Sequence, residues 1–165
     1  MMEQKYAASV EQVFALLSDP RWIEQRCLAL GELAAKVKSR KSAGAVVLTM
    51  TRRVRRDLPA LLARVVSPES DLQFEETWSA PQEGIRRGHL RITAPGQPLT
   101  VTADFELAPA GKGSVYRIKH VTKADVPLIH AAVERWVQGQ IEEGCAAEFA
   151  YTSKAVKVAG GRPQG

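Results

Sequence analysis

The feature that most constrains the fold is a change of hydrophobic period near Val126-Pro127. Before it, from residue 71 onward, successive runs alternate apolar and polar residues, and turns rich in Gly, Pro or Ser separate them. A period of two is typical of strands that bury one face. After it, residues 128–158 contain no proline and place apolar residues at helical spacing. Sequential strands with short connections, followed by one long helix, predict an α+β domain with an antiparallel sheet.

The N-terminal part of the chain predicts one strand and two short helices. Ser9 and Gln12 make a capping box that starts the first helix. Asp19-Pro20 ends that helix and starts the second, because proline is tolerated in a first helical turn, and Gly31 ends the second. A further short helix over 58–66 is predicted between two later strands. The predicted strands are 2–8, 32–40, 45–55, 71–79, 84–94, 98–108 and 114–124.

Several stretches of the sequence resemble one superfamily: DLPALL, EETW, the run from ADFELAPAGKGSVYRI to the VPL turn, and the long last helix. In these, and in the order of elements over nearly the whole chain, the sequence is similar to the START-like (SRPBCC) superfamily, the birch-pollen-allergen type. LPALL and ETW resemble a branch of it that is a domain of unknown function. The resemblance implies a helix-grip fold, a curved antiparallel sheet of about seven strands wrapped around the C-terminal helix. It also implies an apolar ligand cavity between them, but no catalytic motif.

The chain of 165 residues suits a single domain, which we place at 1–158, with a disordered tail at 159–165. The N-terminus lacks the apolar segment of a signal peptide, and no run approaches the ~18 apolar residues of a membrane span. Cys27 and Cys145 stand far apart, in no metal or redox spacing, which indicates reduced thiols. We therefore predict a cytoplasmic protein without stable membrane insertion; its oligomeric state is left open.

The basic excess of the chain lies in residues 33–56, which hold eight Lys or Arg and no acid. Lys36, Lys38 and Arg40 alternate with small or apolar residues, as on a strand with one solvated face. Proteins that bind single-stranded nucleic acid stack the bases on aromatic residues. No aromatic residues are interleaved with the charges of this segment. We predict a solvated face and no nucleic-acid partner. An interaction module whose basic strands meet an anionic partner stays open as an alternative.

A glutamate shares a strand face with aromatic residues in LQFEETW, residues 72–78. Leu72, Phe74, Glu76 and Trp78 alternate along the inward face, although an unpaired ionised carboxylate is costly to bury. Glu76 therefore indicates either a ligand cavity or a salt bridge near its rim. Arg52, on the preceding strand, is its predicted partner.

The inward strand faces and the apolar side of the last helix predict the wall of the cavity. Arg52, Glu76 and His120 are its expected polar anchors, and the inserted helix 58–66 is a lid or a plain cover of the sheet edge. The predicted ligand-binding residues are Met50, Arg52, Phe74, Glu76, Trp78, Leu90, Phe105, Tyr116, Ile118, His120, Val133, Trp136 and Ile141.

These residues favour a binding protein for a small hydrophobic molecule that is lipid-, sterol- or polyketide-like. His89, His120 and His130 fall on separate elements, so no metal is predicted. No glycine-rich phosphate loop or nucleophile elbow occurs, and no cofactor or catalytic residue is assigned. The alternative is an acid–base enzyme of the cyclase or dehydratase type, in which Glu76 and His120 act on a bound carbonyl compound.

Overall fold

The computed structural model describes residues 1–160. This part of the chain forms seven strands and three α-helices, which is the predicted α+β, helix-grip fold. The elements are β1 (Met2–Tyr6), α1 (Val10–Leu17), α2 (Pro20–Ala29), β2 (Ala34–Ser42), β3 (Ala45–Arg55), β4 (Glu69–Trp78), β5 (Arg86–Thr93), β6 (Leu99–Ala110), β7 (Gly113–Ala124) and α3 (His130–Gly160). Most of the tail predicted at 159–165 lies outside the described residues.

The strands form one antiparallel sheet in the order β1-β7-β6-β5-β4-β3-β2. Strands β2 to β7 follow one another as a meander, β1 joins β7, and the sheet does not close into a barrel. The register aligns the inward residues in rows: Phe74 of β4 lies opposite Met50 of β3 and Ile92 of β5. All three are buried, so the predicted inward faces of these strands are confirmed.

The two short helices begin as predicted. The Gln12 backbone N–H donates to Ser9 Oγ at 3.2 Å, and the Ser9 backbone N–H donates to Gln12 Oε1 at 2.9 Å. This reciprocal capping box satisfies backbone donors that the first turn of α1 leaves without partners. Asp19 caps α2 by a single hydrogen bond, which its Oδ1 accepts from the Arg21 backbone N–H at 3.1 Å, and Pro20 occupies the first turn.

The helix predicted over 58–66 is wrong in extent. The segment contains only one turn of 3₁₀-helix, Leu62–Arg64. Leu62 is buried in the core, whereas Leu61 is 45% exposed, so the segment has no continuous apolar stripe to pack. Because a helix gains most of its stability from packing such a face, the helical pattern does not extend beyond this turn.

Helix α3 runs along β7 and β1, the strands to which it lies closest. The inner faces of β3, β4 and β5 are therefore farther from its backbone. An aromatic cluster fills part of the space beneath the helix: Trp78 is fully buried, with its ring 5.2 Å from Phe14 and 4.6 Å from Phe105. Within residues 1–160, no helix combines the length and the apolar character needed to cross a membrane.

Candidate functional site

A cavity of about 120 Å³ lies between the sheet and α3. Its wall is formed mainly by the inward residues of β3, β4, β5 and β7 and by α3 from Gln140 to Thr152, with Arg26 of α2 at one side. Ten of the thirteen residues predicted to line it do so: Met50, Arg52, Phe74, Glu76, Trp78, Leu90, Tyr116, Ile118, His120 and Ile141.

Phe105, Val133 and Trp136 lie outside the cavity wall. Phe105 is packed between the rings of Trp78 and Tyr116, at centroid distances of 4.6 and 5.8 Å, and belongs to the solid aromatic cluster. Val133 and Trp136 lie in the first turns of α3, whereas the helix reaches the cavity only from Gln140 onward. The apolar stripe of a helix shows which side is buried, but the crossing of helix and sheet decides which turns face the cavity.

The predicted pairing of Arg52 with Glu76 is wrong. Arg52 Nε donates to Glu32 Oε1 at 2.7 Å, and its Nη2 donates to Glu148 Oε1 at 2.8 Å. The register explains this, because Arg52 lies opposite Leu72, four residues before Glu76 on β4. Four residues of strand span about 13 Å, beyond the reach of a direct salt bridge along this face.

Glu76 instead accepts a hydrogen bond from its own strand. Trp78 Nε1 donates to Glu76 Oε1 at 2.6 Å. The indole of a fully buried tryptophan thereby finds the acceptor that it needs, and the carboxylate is held against the aromatic cluster.

Arg52 belongs to a buried charged cluster, which we define as Arg26, Glu32, Arg52 and Glu148. Glu148 Oε1 lies between the two arginines, 2.8 Å from Arg52 Nη2 and 3.4 Å from Arg26 Nη2. Sequence reasoning did not assign a role to Arg26, Glu32 or Glu148. A signal was present for two of them: Arg26 interrupts the apolar stripe of α2, and Glu148 interrupts that of α3 beside Phe149.

The two carboxylates in the cavity wall have opposite pKa shifts. Burial raises the pKa of Glu76 from 4.5 to about 7, and the hydrogen bond from Trp78 only partly opposes this. Burial would also raise the pKa of Glu148, but the guanidinium groups of Arg26 and Arg52 outweigh it and hold that pKa below its usual value. At neutral pH Glu148 is therefore ionised, whereas Glu76 is present in both its protonated and its ionised form.

His120 lines the same cavity as Glu76 but lies three strands away, on β7. The register places Glu76, Leu90, Ala103 and His120 in a single row across four strands. Burial lowers the pKa of His120, so its imidazole is neutral at pH 7. Within residues 1–160, no three His, Cys, Asp or Glu side chains come together as ligands for a metal ion.

A curved antiparallel sheet that holds a long helix over a partly polar cavity defines a helix-grip α+β protein. Residues 1–156 match the family model described as Protein of unknown function (DUF2505), so the chain belongs to this family. No curated protein matches the chain.

Two solved structures share the fold. Protein TTHA0849 from Thermus thermophilus has a TM-score of 0.65 at 15% sequence identity, over 96% of this chain and 96% of that one. Protein Ms6760 from Mycobacterium smegmatis has a TM-score of 0.54 at 14% identity, over 95% of this chain and 89% of that one. At these identities the likeness concerns the fold alone.

Proposed function

We propose that this protein binds a small, mostly apolar ligand in the cavity between the sheet and α3. The observation that carries the proposal is the composition of the wall, in which Met50, Leu72 and Phe74 stand beside a few buried ionisable groups. Ligand sites commonly combine apolar walls with a small number of placed polar groups. The resemblance to the START-like superfamily supports the same function, and we propose membership of that superfamily.

The volume of the cavity limits the ligand. Sites for drug-sized molecules are roughly 300–1,000 Å³, whereas an engineered apolar cavity of about 150 Å³ binds benzene. The cavity of about 120 Å³ therefore suits a compact ring or a short acyl chain. A lipid-, sterol- or polyketide-sized ligand requires α3 to move away from β3, β4 and β5, the strands to which it is not closely packed.

Two glycines of α3 provide a matched test. Gly144 lines the cavity, and a Cβ atom built on it meets no atom within 4 Å, so Gly144→Leu places a side chain in the cavity. Gly139 lies on the same helix with equally free space but outside the cavity wall, so Gly139→Leu is the control. Both substitutions also raise helix propensity by a similar amount.

Toluene is a suitable probe, because it is apolar and compact. We expect saturable binding to the wild type and to Gly139→Leu in NMR titrations, and a Kd raised at least about tenfold, or 1.4 kcal/mol, in Gly144→Leu. Native mass spectrometry of the gently purified protein should also show a retained small molecule. A wild type that neither retains a ligand nor binds toluene would overturn the proposal.

The acid–base enzyme is a second candidate, favoured by the pKa of about 7 of Glu76 and by His120, which lines the same cavity. A carboxyl group with a pKa near the working pH is suited to proton transfer. Cyclohexanone in deuterated buffer tests this, since a base in the cavity should accelerate exchange of its α-protons. The exchange should fall to the buffer rate in Glu76→Gln while cyclohexanone affinity stays within about twofold. An equal loss of exchange and affinity would point back to simple binding.

Two free, buried cysteines support a further proposal, that the protein is cytoplasmic. Cys27 and Cys145 form no disulfide, which is typical of proteins from reducing compartments. Fractionation of cells that produce the full chain would test this proposal, and recovery from a secreted fraction would contradict it.

A further inference from the structure

We infer that Arg26 is the head-group site of the cavity and that the ligand is a carboxylic acid with a compact apolar body. This inference rests on the proposed binding function and adds the chemical class of the ligand. It is carried by the polar contacts of Arg26, which differ from those of the other buried arginines.

Arg26 lies on the inward face of α2, is only 7% exposed and lines the cavity. Its Nε atom is buried without a hydrogen-bond partner. Its one ion pair among the described residues is the contact of Nη2 with Glu148 Oε1 at 3.4 Å, and that oxygen is held more closely by Arg52 at 2.8 Å. A guanidinium group carries five donors, and the Nε donor of Arg26 has no acceptor within residues 1–160.

Arg52 and Arg86 show how this protein satisfies a buried guanidinium. Arg52 directs Nε and Nη2 to the two oxygens of Glu32. Arg86 directs the same two atoms to the two oxygens of Glu11, each at 3.0 Å. Both pairs are bidentate, the geometry in which a guanidinium best recognises a carboxylate. Arg26 lines the cavity and has no bidentate carboxylate partner in the described part of the chain, so a ligand carboxylate would pair with its guanidinium.

Nearby charges favour a carboxylic acid that binds together with a proton. The two positive charges of Arg26 and Arg52 balance the two negative charges of Glu32 and Glu148. Protonation of Glu76 therefore removes a negative charge that would repel an added anion. The ionisable groups that line the cavity with Glu76 are Tyr6 of β1, Arg26 of α2, Arg52 of β3, Arg56 just after β3, Tyr116 and His120 of β7, and Cys145 and Glu148 of α3. Since the pKa of Glu76 is about 7, bringing a second carboxylate beside it favours proton uptake near neutral pH.

Toluene, benzamide and benzoate form a probe series with one ring and different head groups. We expect benzoate to bind the wild type more tightly than benzamide. Arg26→Met removes the guanidinium but keeps an apolar stem, and Glu148 keeps its hydrogen bond to Arg52. We expect this variant to lose about 10- to 100-fold in its affinity for benzoate relative to its affinity for toluene.

Arg86→Met is the matched control. Arg86 has an equally buried side chain, packs over the ring of Phe14 and pairs with Glu11, but does not line the cavity. It should leave the affinities for benzoate and for toluene within about twofold of the wild type. Calorimetry of the wild type in buffers of different ionisation enthalpy should show proton uptake when benzoate binds, a measurement that needs no variant.

The outcomes separate the two proposals. If toluene binds but benzoate and benzamide bind with equal affinity, the head-group assignment is overturned and the binding function of the cavity stands. The same holds if toluene binds and the benzoate affinity is unchanged in Arg26→Met. Absence of binding for all three probes would overturn the binding function itself. If Arg26→Met does not fold, the preference of the wild type for benzoate over benzamide decides the assignment.

Discussion

Glu76 and Glu148 show how strongly the surroundings of a residue set its chemistry. Both carboxylates line one cavity, and both are partly buried. Glu148 stands beside two guanidinium groups, whereas the nearest donor to Glu76 is the neutral indole of Trp78. A neutral donor offsets the loss of hydration less than two cations do, so the pKa of Glu76 rises and that of Glu148 falls.

Glu76→Gln should make the protein more stable at alkaline pH. The folded wild type keeps a proton up to about pH 7, whereas the unfolded chain releases it near pH 4.5, so wild-type stability declines as pH rises through this window. At pH 8 the variant should gain up to about 3 kcal/mol of unfolding free energy, and at pH 4.5 almost nothing. The introduced amide still offers an oxygen to the indole of Trp78.

Urea unfolding at pH 4.5 and pH 8 measures this difference. Glu75→Gln is the control, since Glu75 is exposed on the outer face of the same strand. Glu75→Gln should change the free energy of unfolding only slightly at both pH values. Identical pH profiles for wild type and Glu76→Gln would show that Glu76 titrates in the fold as it does in the unfolded chain.

Arg52→Met should be strongly destabilising. Arg52 is the shared partner of Glu32 and Glu148, and its removal leaves Glu32 without its bidentate partner and Glu148 with only the longer contact to Arg26. Breaking a buried ion pair in this way costs about 3–5 kcal/mol. Arg53→Met, on the next and exposed residue, should be far less destabilising, although Arg53 also contacts two carboxylates. Equal losses of unfolding free energy would argue against a special role for the buried cluster.

At the scale of elements, β2 is an edge strand with unneutralised charge, and α2 covers part of this edge, where the Val37 backbone N–H donates to Glu24 Oε1 at 2.9 Å. It is the last strand of the sheet, and Lys36, Lys38 and Arg40 are exposed and take part in no salt bridge among the described residues. Charged side chains on an edge strand oppose pairing with another chain. The exposure of these three side chains agrees with the solvated face that the alternation in the sequence predicts.

Replacing Lys36, Lys38 and Arg40 together with glutamine should promote association through this edge. We expect faster aggregation in light-scattering measurements, with unfolding free energy changed by less than about 1 kcal/mol. The same three-residue change to glutamate keeps the edge charged and is the control. Aggregation of both variants at the wild-type rate would instead leave these charges free for an anionic partner. Binding that falls steeply with salt would then support the interaction-module alternative.

At the scale of the whole molecule, a ligand larger than the cavity of about 120 Å³ requires the helix and the sheet to part. Cys145 lies in the part of α3 that lines the cavity, whereas Cys27 lies in α2, which packs beside β2. Burial raises the pKa of each thiol to about 12, so neither reacts readily in the closed protein.

Thiol modification therefore reports which part of the molecule opens. If α3 moves from the sheet, Cys145 should react with a disulfide reagent faster than Cys27, and toluene should slow only the reaction of Cys145. The single variants Cys27→Ser and Cys145→Ser assign the two rates. Equal rates that follow global unfolding in urea would show that the helix does not open on its own.

The sequence by itself determined the elements and their inward faces. Ser9 and Gln12 identify the start of α1, and the alternation of Phe74 and Trp78 with polar neighbours identifies the buried face of β4. These features follow from local physics, because side chains alternate every two residues in a strand and a cap acts within one helical turn. The long proline-free segment likewise predicted α3.

Only the tertiary structure decided which inward residues meet. Arg52 and Glu76 share a face, but the hairpin register separates them by four residues, and the partners of Arg52 come from outside the hairpin, at Glu32 and on α3. The crossing of α3 over the sheet leaves Val133 and Trp136 outside the cavity and brings Glu148 into it. Register and crossing depend on the packing of the whole core, so no local pattern contains them.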